Sequence, residues 1–540
     1  MGEPEPTHAR QKNVFVLCFD GTGNKFSGTE TDSNILKLYR MLDRTDVSMY
    51  TFYQPGIGTY ITSHSMQTTS TLGKIRSWYT KAKDSAVGSS FADHVMGGYK
   101  FLMRYYSCED DLYFFGFSRG AYTARFLAEM LDHIGLLSAG NEELIRFAWK
   151  TYAKWAARTN DGSDGAKRKE VEQYEFMRGF RETFSRPVRR IRFLGLFDTV
   201  NSVPRFESAW MQRSKFPYTA RSSAKVIRHA VSIDERRAKF RQDLINGSQP
   251  QREDNANESL HIHRYNSDLA QMSKNLELNG VHHHSSTHNA AAPRVEISNS
   301  DRPGQLSVPT PMIGEKSSSE SLAAPIHPPG MEHLCAKGHK HRRRQWSEMK
   351  RTQDIQEVWF AGGHGDIGGG WTRSDGEHWM LSHAPLVWMV HEAERAGLKF
   401  DPAKMARLSC LPDGVNEFGD PLEDAEFRNM WYQTLEECYV ASVVHDCLTP
   451  GGGLPWTTVA FWKMMEYLPF RRMDLQKNGT WKAIRWPLPM GETRDIPADA
   501  QIHNSVIKRM QHDPKYRPGN LIIGGGGRGN PQSTGKVWNW

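Results

Sequence analysis

Val14-Phe15-Val16-Leu17-Cys18-Phe19 is an unbroken apolar run, bounded by Asn13 and the turn cluster Asp20-Gly21-Thr22-Gly23-Asn24. A run of strand length without alternation predicts a strand buried on both faces, as in a parallel sheet. Ser33 to Leu42 follows with Ile35, Leu38 and Leu42 at helical spacing, and Met49–Tyr53 predicts a second strand, stopped by Pro55-Gly56. Ala92 to Tyr106 predicts a helix through Val95, Leu102 and Tyr106, and Leu112–Phe115 a third strand. Beyond Gly116-Phe117-Ser118-Arg119-Gly120, the residues Ala124, Leu127, Leu131 and Ile134 predict a helix, with Gly135 as its stop. Further strands are predicted at Ile191–Phe197, Val226–Ile233 and Glu357–Ala361, and an amphipathic helix at His383–Gly397. Apolar strands alternating with helices place the chain in the α/β class, with a mainly parallel sheet flanked by helices.

The pattern lapses between Gln242 and Lys350. From Gln242 to Gln345 the sole aromatic residue is Tyr265, and no period of 2 or 3.6 survives. Such a stretch cannot bury enough apolar surface to offset its ordering entropy. The expected organisation is a disordered N-terminus (1–12), the first part of an α/β domain (13–241), a disordered insertion (242–350), the second part with a helical and aromatic C-terminal extension (351–520), and a flexible Gly-rich tail (521–540). Length therefore changes meaning: 540 residues would allow three or four domains, but this pattern predicts one large one.

Composition narrows the class. Hydrophobic residues at 38% and charged residues at 24% exclude a wholly disordered chain. The net charge of +8 is a mild basic bias. The insertion carries 12 Lys or Arg against 12 Asp or Glu, so the excess belongs to the part expected to fold. Such an excess suits an anionic substrate or surface, and no nucleic-acid partner is expected. The basic group Lys340, Arg342, Arg343 and Arg344 at the insertion's end reads as a solvated charge run, with anion binding or nuclear import as the rival. The six cysteines show neither C-x-x-C nor zinc-ligand spacing, so reduced thiols are expected. The N-terminus lacks the apolar core of a secretory signal, and no segment approaches 18 apolar residues. An intracellular, cytoplasmic location is the resulting expectation.

Gly116-Phe117-Ser118-Arg119-Gly120 fits G-x-S-x-G. Average usage would produce that match by chance in about one chain in five of this length, so the pentapeptide gains its weight from context. It lies directly between an apolar strand and an amphipathic helix, as a nucleophile elbow must. The glycines make room where strand and helix close on the serine, and the helix N-terminus favours a developing oxyanion. A serine nucleophile needs a base, and the base needs an acid to set its tautomer. Asp198, after the Ile191–Phe197 strand, is the expected acid, with Asp234 after the next strand as its rival. His364, between glycines after Glu357–Ala361, is the expected base, with His503 as alternative. His282, His283 and His284 fall in the insertion and are set aside. Oxyanion donors are expected from the backbone N–H of Arg119 and of Gly21 or Thr22. This chemistry calls for no metal and no organic cofactor.

Two other readings of the same residues are weaker. A phosphoaspartyl site at Asp20-Gly21-Thr22 would want Asp at position 18, where Cys18 stands, and no P-loop pattern is present. A non-catalytic binding module on a hydrolase scaffold is the alternative that fold alone leaves open. Trp456 to Arg472 places Phe461, Trp462, Met464, Met465, Tyr467 and Leu468 beside Arg471 and Arg472. It reads as an ordinary packed helix, or as a lid or contact for a lipid surface.

With these motifs on the page, the chain resembles an uncharacterised α/β-hydrolase domain family, the domain of unknown function 2235, which includes type VI secretion phospholipase effectors and many fungal proteins. The matching signatures are Phe19–Asn24, Gly116-Phe117-Ser118-Arg119-Gly120-Ala121-Tyr122-Thr123-Ala124-Arg125, Gly195–Val200, Ile233–Arg237 and Val358–Gly370. The C-terminal stretch, through Ile502-His503-Asn504-Ser505 and Tyr516-Arg517-Pro518, looks like the fungal members. The resemblance implies an α/β-hydrolase-like fold, Ser118 as nucleophile and His364 as base, with Asp198 and Asp234 both in signatures. It implies hydrolysis of a carboxylic ester, with phospholipid as one substrate class, so the expected partners are a small-molecule or lipid ester and a peripheral membrane surface. Gly363 and Gly365 stand where bulkier residues are expected, which would loosen His364.

Overall fold

The first apolar run forms β1 (Val14–Phe19), and every residue after Val14 is buried. The structure is a computed structural model. It describes residues 12–24, 26–56, 86–108, 110–156, 164–186, 188–200, 222–245, 353–411, 425–470, 472–475, 481–497, 499–521 and 536–538. All of them belong to the unit formed by 1–270 and 348–540. The other strands of its main sheet are β2 (Met49–Gln54), β3 (Asp111–Phe117), β4 (Phe193–Phe197), β5 (Val226–Ser232), β6 (Asp354–Phe360), β7 (Gln501–His503) and β8 (Lys536–Trp538). Their spatial order is β2-β1-β3-β4-β5-β6-β7-β8, and every neighbouring pair is parallel.

A parallel strand buried on both faces sends alternate side chains into two cores. On one face Phe15, Leu17, Phe19, Leu112, Phe114, Leu194 and Leu196 meet α2 (Ala86–Tyr105), α3 (Arg119–Ile134), α4 (Ile145–Ala156) and α5 (Asp164–Phe184). On the other, Val16, Cys18, Tyr113, Phe115, Phe193 and Phe197 meet α1 (Asn34–Met41), α6 (His364–Gly368), α7 (His383–Arg395), α8 (Pro402–Arg407) and α9 (Ala425–Val440). The chain leaves β1 for α1 on one face and leaves β3 for α3 on the other. The loops at the carboxyl ends of these neighbours therefore diverge, and ligands of open α/β sheets bind in the crevice so formed.

The elements follow local chemistry closely. Ser33 caps α1 by accepting the Leu36 N–H at 3.2 Å. Gly135 ends α3 at φ 73°, its N–H bonded to the Leu131 carbonyl. The helix beginning at His383 differs from its amphipathic pattern, since His383 through Ala393 are all buried. It is sandwiched between the sheet and neighbouring helices, so its polar positions are enclosed: Arg228 pairs with Glu392, and His391 Nε2 lies 3.0 Å from the Cys410 carbonyl.

Two expected boundaries move. Asp243, Leu244 and Ile245 are buried in the fold, with the Asp243 N–H on the Thr199 carbonyl and Arg125 on the Asp243 carbonyl. The folded part thus includes 243–245, which were expected in the insertion; residues 246–352, which hold nearly all of the rest of it, lie outside the described residues. In the tail expected to be flexible, β8 pairs in parallel with β7. The reason is the free edge of β7, whose unpaired backbone groups are a template for another strand. The Gly524–Gly527 run lies outside the described residues. The described cysteines, Cys18, Cys108, Cys410, Cys438 and Cys447, form no disulfide. Among the described residues, no helix is long and apolar enough to cross a membrane and no cluster could hold a metal ion.

Candidate active site

Ser118 sits at the carboxyl end of β3, at φ 59° and ψ −122°, as the residue before α3. Among the described residues, the non-glycines with positive φ are Ser118, Asp198, Ser409 and Met490. Two of these four are expected site residues, and strain of this kind persists where the surroundings enforce it. The enforcement is visible. A Cβ on Gly116 would lie 2.6 Å from the Ala121 nitrogen, and one on Gly120 would lie 2.5 Å from the Asp20 carbonyl oxygen. Only hydrogen fits between β3, α3 and the turn after β1. The Ser118 N–H is held by the Phe197 carbonyl at 2.9 Å.

The three expected residues of the site meet. Ser118 Oγ lies 2.7 Å from His364 Nε2, and His364 Nδ1 lies 2.5 Å from Asp198 Oδ2. They arrive from the ends of β3, β4 and β6. Parallel strands place all their carboxyl ends on one side, which brings together residues 246 positions apart. All three are buried. The His364 ring packs against Phe117 and Phe240, with centroids 4.9 and 4.7 Å away. That burial lowers the His364 pKa, against the opposing pull of Asp198, so the imidazole is neutral at pH 7.

Asp198 has a partner the sequence did not suggest. Arg494 reaches it with both arms of its guanidinium, Nη1 to Oδ1 at 2.6 Å and Nη2 to Oδ2 at 2.9 Å, and the Ser232 N–H also donates to Oδ1 at 2.9 Å. Burial alone would raise the Asp198 carboxyl. The Arg494 charge and the His364 hydrogen bond outweigh it and hold the group well below the usual carboxylate range. A second buried pair lies alongside. Glu235 Oε2 accepts the His364 N–H at 3.1 Å, and Arg237 binds Glu235 at 2.8 Å. Burial would raise Glu235 too, but Arg237 brings it down to about 2. Two carboxylates and two guanidiniums thus surround one neutral histidine, and buried charges of this kind persist when paired. Glu235 and Arg237 stood in a recognised signature without an assigned part. Arg494, in the irregular Gly491-Glu492-Thr493-Arg494-Asp495, carried no signal at all.

The rival residues are elsewhere engaged. Asp234 Oδ2 accepts the Gly362 N–H at 2.7 Å and the Tyr516 hydroxyl at 2.6 Å, joining β5 to the end of β6, while the His364 imidazole takes its carboxylate partner from Asp198. Burial lifts the Asp234 pKa to about 6. His503 stacks on Phe360 at 4.1 Å and accepts the Ser505 N–H through Nδ1, capping α11 (Asn504–His512). Burial takes its pKa to about 3. It is a core residue of β7, and the nitrogen facing Ser118 belongs to His364.

The turn after β1 corrects one expected donor. The Gly21 N–H is spent on Asp20 Oδ1 at 2.7 Å. Asp20 also accepts from Asn24, Ser33 and Tyr53, at 3.1, 2.7 and 2.8 Å. This carboxylate is saturated and shapes the loop, which also speaks against the phosphoaspartyl reading. Among the described residues the Thr22 N–H has no protein partner, and Arg119 stands at the first position of α3.

The glycines beside His364 tighten the site where the sequence suggested looseness. A Cβ on Gly363 would lie 2.6 Å from the His445 carbonyl oxygen, and one on Gly365 would run into the Trp371 indole. That indole stacks on His445 at 4.2 Å, and His445 Nδ1 lies 2.7 Å from Asp366. Asp366 also accepts the Gly363 N–H at 2.8 Å. The glycines admit this packing, and the packing holds α6. At the other side of Phe240, Trp462 of α10 (Trp456–Met465) lies 5.5 Å away. The same helix turns Trp456 and Met464 outward, 76% and 57% exposed, with Tyr467 just beyond it at 61%.

Comparison with known proteins matches residues 13–392 to the family described as T6SS, Phospholipase effector Tle1-like, catalytic domain. An uncharacterised protein of Saccharomyces cerevisiae is 29% identical over 577 aligned residues, which cover 95% of this chain and 81% of its own. Among solved structures, an uncharacterised protein from Pseudomonas aeruginosa is 16% identical with a TM-score of 0.30, over 79% of this chain and 52% of that one. The Tle1 effector bound to the VgrG spike of the type 6 secretion system is 20% identical with a TM-score of 0.19, over 45% of this chain and 49% of that one. The chain spans about half the length of these solved structures. The matched span contains all five signatures read from the sequence, and Arg494 lies beyond it. Because the match runs through more than half of the chain, the chain belongs to the family of Tle1-like phospholipase effector catalytic domains, a phospholipase-type hydrolase family.

Proposed function

We propose that the protein is a serine hydrolase that cleaves a carboxylic ester of a phospholipid. The observation that carries this reading is the hydrogen-bonded chain from Ser118 Oγ through His364 to Asp198, at 2.7 and 2.5 Å. Ser118 Oγ attacks the ester carbonyl while His364 Nε2 takes its proton. Asp198 keeps the other proton on Nδ1, so that Nε2 is the accepting nitrogen, and stabilises the imidazolium. The oxyanion meets the N–H of Arg119, at the N-terminus of α3, and that of Thr22, in the turn after β1. The imidazolium then returns its proton to the leaving alcohol, and water resolves the acyl-enzyme by the same route.

Lipid as the ester is supported by the family and by the rim of the site. Trp456, Met464 and Tyr467 face outward at i, i+8 and i+11, beside the exposed Lys463. Trp462 on the same helix reaches Phe240 and so His364. An outward aromatic stripe with a cation beside it suits the headgroup–acyl boundary of an anionic bilayer.

Fluorophosphonate labelling and turnover of phosphatidylglycerol vesicles and p-nitrophenyl butyrate test the reading, with Ser118→Ala in parallel. Labelling at Ser118 and ester cleavage lost in Ser118→Ala are expected. Absence of labelling on the folded wild type would leave a binding module on a hydrolase scaffold. Cleavage of the soluble ester without cleavage of vesicles would remove the phospholipid and keep the serine mechanism.

A further inference from the structure

We propose that Arg494 is a positioning residue for the hydrolytic site, so that a side chain from beyond the matched catalytic-domain span completes the machinery by locking Asp198 toward His364. The inference rests on the serine-hydrolase reading above. Asp198 offers two oxygens with about four lone-pair positions. Oδ1 is taken by the Ser232 N–H and Arg494 Nη1, and Oδ2 by His364 Nδ1 and Arg494 Nη2. The planar fork lies along the planar carboxylate, and the carboxylate cannot turn without breaking both of its bonds to the fork.

The fork is itself held. Nη1 donates to the Ser232 carbonyl at 3.0 Å and Nη2 to the Phe240 carbonyl. Asn520 Nδ2 bonds the Arg494 carbonyl at 3.1 Å and the Ile233 carbonyl at 3.0 Å, and Tyr516 bonds Asp234. The stretch from 494 to 520 is thereby tied to the loop after β5, which carries Glu235 and Phe240. The arrangement is not what stability alone would select. Arg494 is fully buried, and its Nε has no partner among the described residues. Apolar side chains of similar volume often serve stability as well as a buried ion pair does. What an apolar side chain cannot supply is a two-pronged donor that fixes the plane of Asp198 and keeps it ionised.

The test uses the full chain with p-nitrophenyl butyrate as substrate. Arg494→Lys keeps the charge and loses the fork. Arg494→Ala loses both, and added guanidinium at low, non-denaturing concentration can refill the space. We expect kcat to fall about tenfold to hundredfold in both, the range that misplacement of a reacting group produces, with KM nearly unchanged. In Arg494→Ala the imidazolium gains stability once the cation beside Asp198 is gone, so the acidic limb of the pH–rate profile moves to higher pH. In Arg494→Lys that limb stays in place. Guanidinium restores at least severalfold activity to Arg494→Ala alone. Wild-type kcat in a folded Arg494→Lys or Arg494→Ala overturns the proposal. So does a loss with an unmoved limb and no rescue in Arg494→Ala, the mark of a staple that only holds the loop. If Arg494→Ala does not fold, Arg494→Lys decides by its kcat at an unchanged melting temperature. Failure of the underlying reading looks different: the wild type is then unlabelled by fluorophosphonate, or Ser118→Ala keeps full activity.

Discussion

Replacing Asp198 by Asn changes one atom and leaves the shape, and the surroundings dictate how the new amide must lie. Oδ1 accepts from two donors, the Ser232 N–H and Arg494 Nη1, and neither can become an acceptor. Oδ2 accepts from Arg494 Nη2 and faces His364 Nδ1. Placing the new NH2 group at Oδ1 would set it against two donors, and placing it at Oδ2 sets it against one. The second orientation prevails, and its N–H points at His364 Nδ1. The imidazole answers by accepting there and carrying its proton on Nε2, which lies 2.7 Å from Ser118 Oγ. A protonated Nε2 cannot take the serine proton. Loss of the correct tautomer costs about 10⁴ in kcat in triads of this geometry. At 1.36 kcal/mol per decade that is about 5 kcal/mol of transition-state stabilisation. Arg494 loses its charge partner as well, and removing one member of a buried pair costs up to about 3–5 kcal/mol of stability, less here because two hydrogen bonds survive. Turnover of p-nitrophenyl butyrate by purified Asp198→Asn gives the first quantity, and urea unfolding gives the second. A folded Asp198→Asn with activity within tenfold of wild type would refute the tautomer argument, and with it the assignment of Asp198 as the acid.

Three further outcomes follow from the same geometry. Burial depresses His364, so the acidic limb of the pH–rate profile has its midpoint below about 6.5, the ordinary value for histidine; the base works deprotonated, so activity is lost as pH falls through that limb, and a midpoint at or above 6.5 contradicts the burial. Asp234→Asn can still accept from Gly362 and Tyr516 and keeps kcat within about threefold, whereas Asp234→Ala leaves those donors unpaired and loses about 1–3 kcal/mol in urea unfolding; loss of turnover in a folded Asp234→Asn would show the acid to be Asp234. Gly365→Ala drives a methyl into Trp371, which is backed by His445, and costs about 1–3 kcal/mol together with a fall in kcat as α6 shifts His364; unchanged stability and rate would mean that the glycine packing does not position the base.

Much of this site was legible along the chain. A nucleophile elbow is a local object: apolar strand, Gly-x-Ser-x-Gly and helix are consecutive, so the sequence carries the whole pattern around Ser118. His364, and the pair of candidate acids Asp198 and Asp234, were legible for a related reason. Each directly follows a strand-like run, and parallel strands of one sheet deliver such residues to one edge. The five signatures together placed the chain in its family before any contact was known.

The rest depended on distance in space. Asp198 and Asp234 are indistinguishable in sequence, because both follow apolar strands inside recognised signatures. The register of β4, β5 and β6 separates them, turning one carboxylate to His364 and the other to Gly362 and Tyr516. Gly21 and Thr22 were equally apt donors until Asp20 turned back to bind Gly21. Gly363 and Gly365 suggested slack in sequence, and the indole and imidazole that fill the space beside them stand elsewhere in the chain. Arg494 is the limiting case, 296 residues from Asp198 and in no periodic element. Sequence by itself determined the class of fold and singled out Ser118 and His364, since strand, turn and helix signals are written in neighbouring residues. Tertiary structure alone decided which carboxylate faces His364, which N–H of the turn after β1 is already bonded, and what charge sits behind that carboxylate. Those depend on buried electrostatics, where a partner matters by its ångströms and not by its place in the chain.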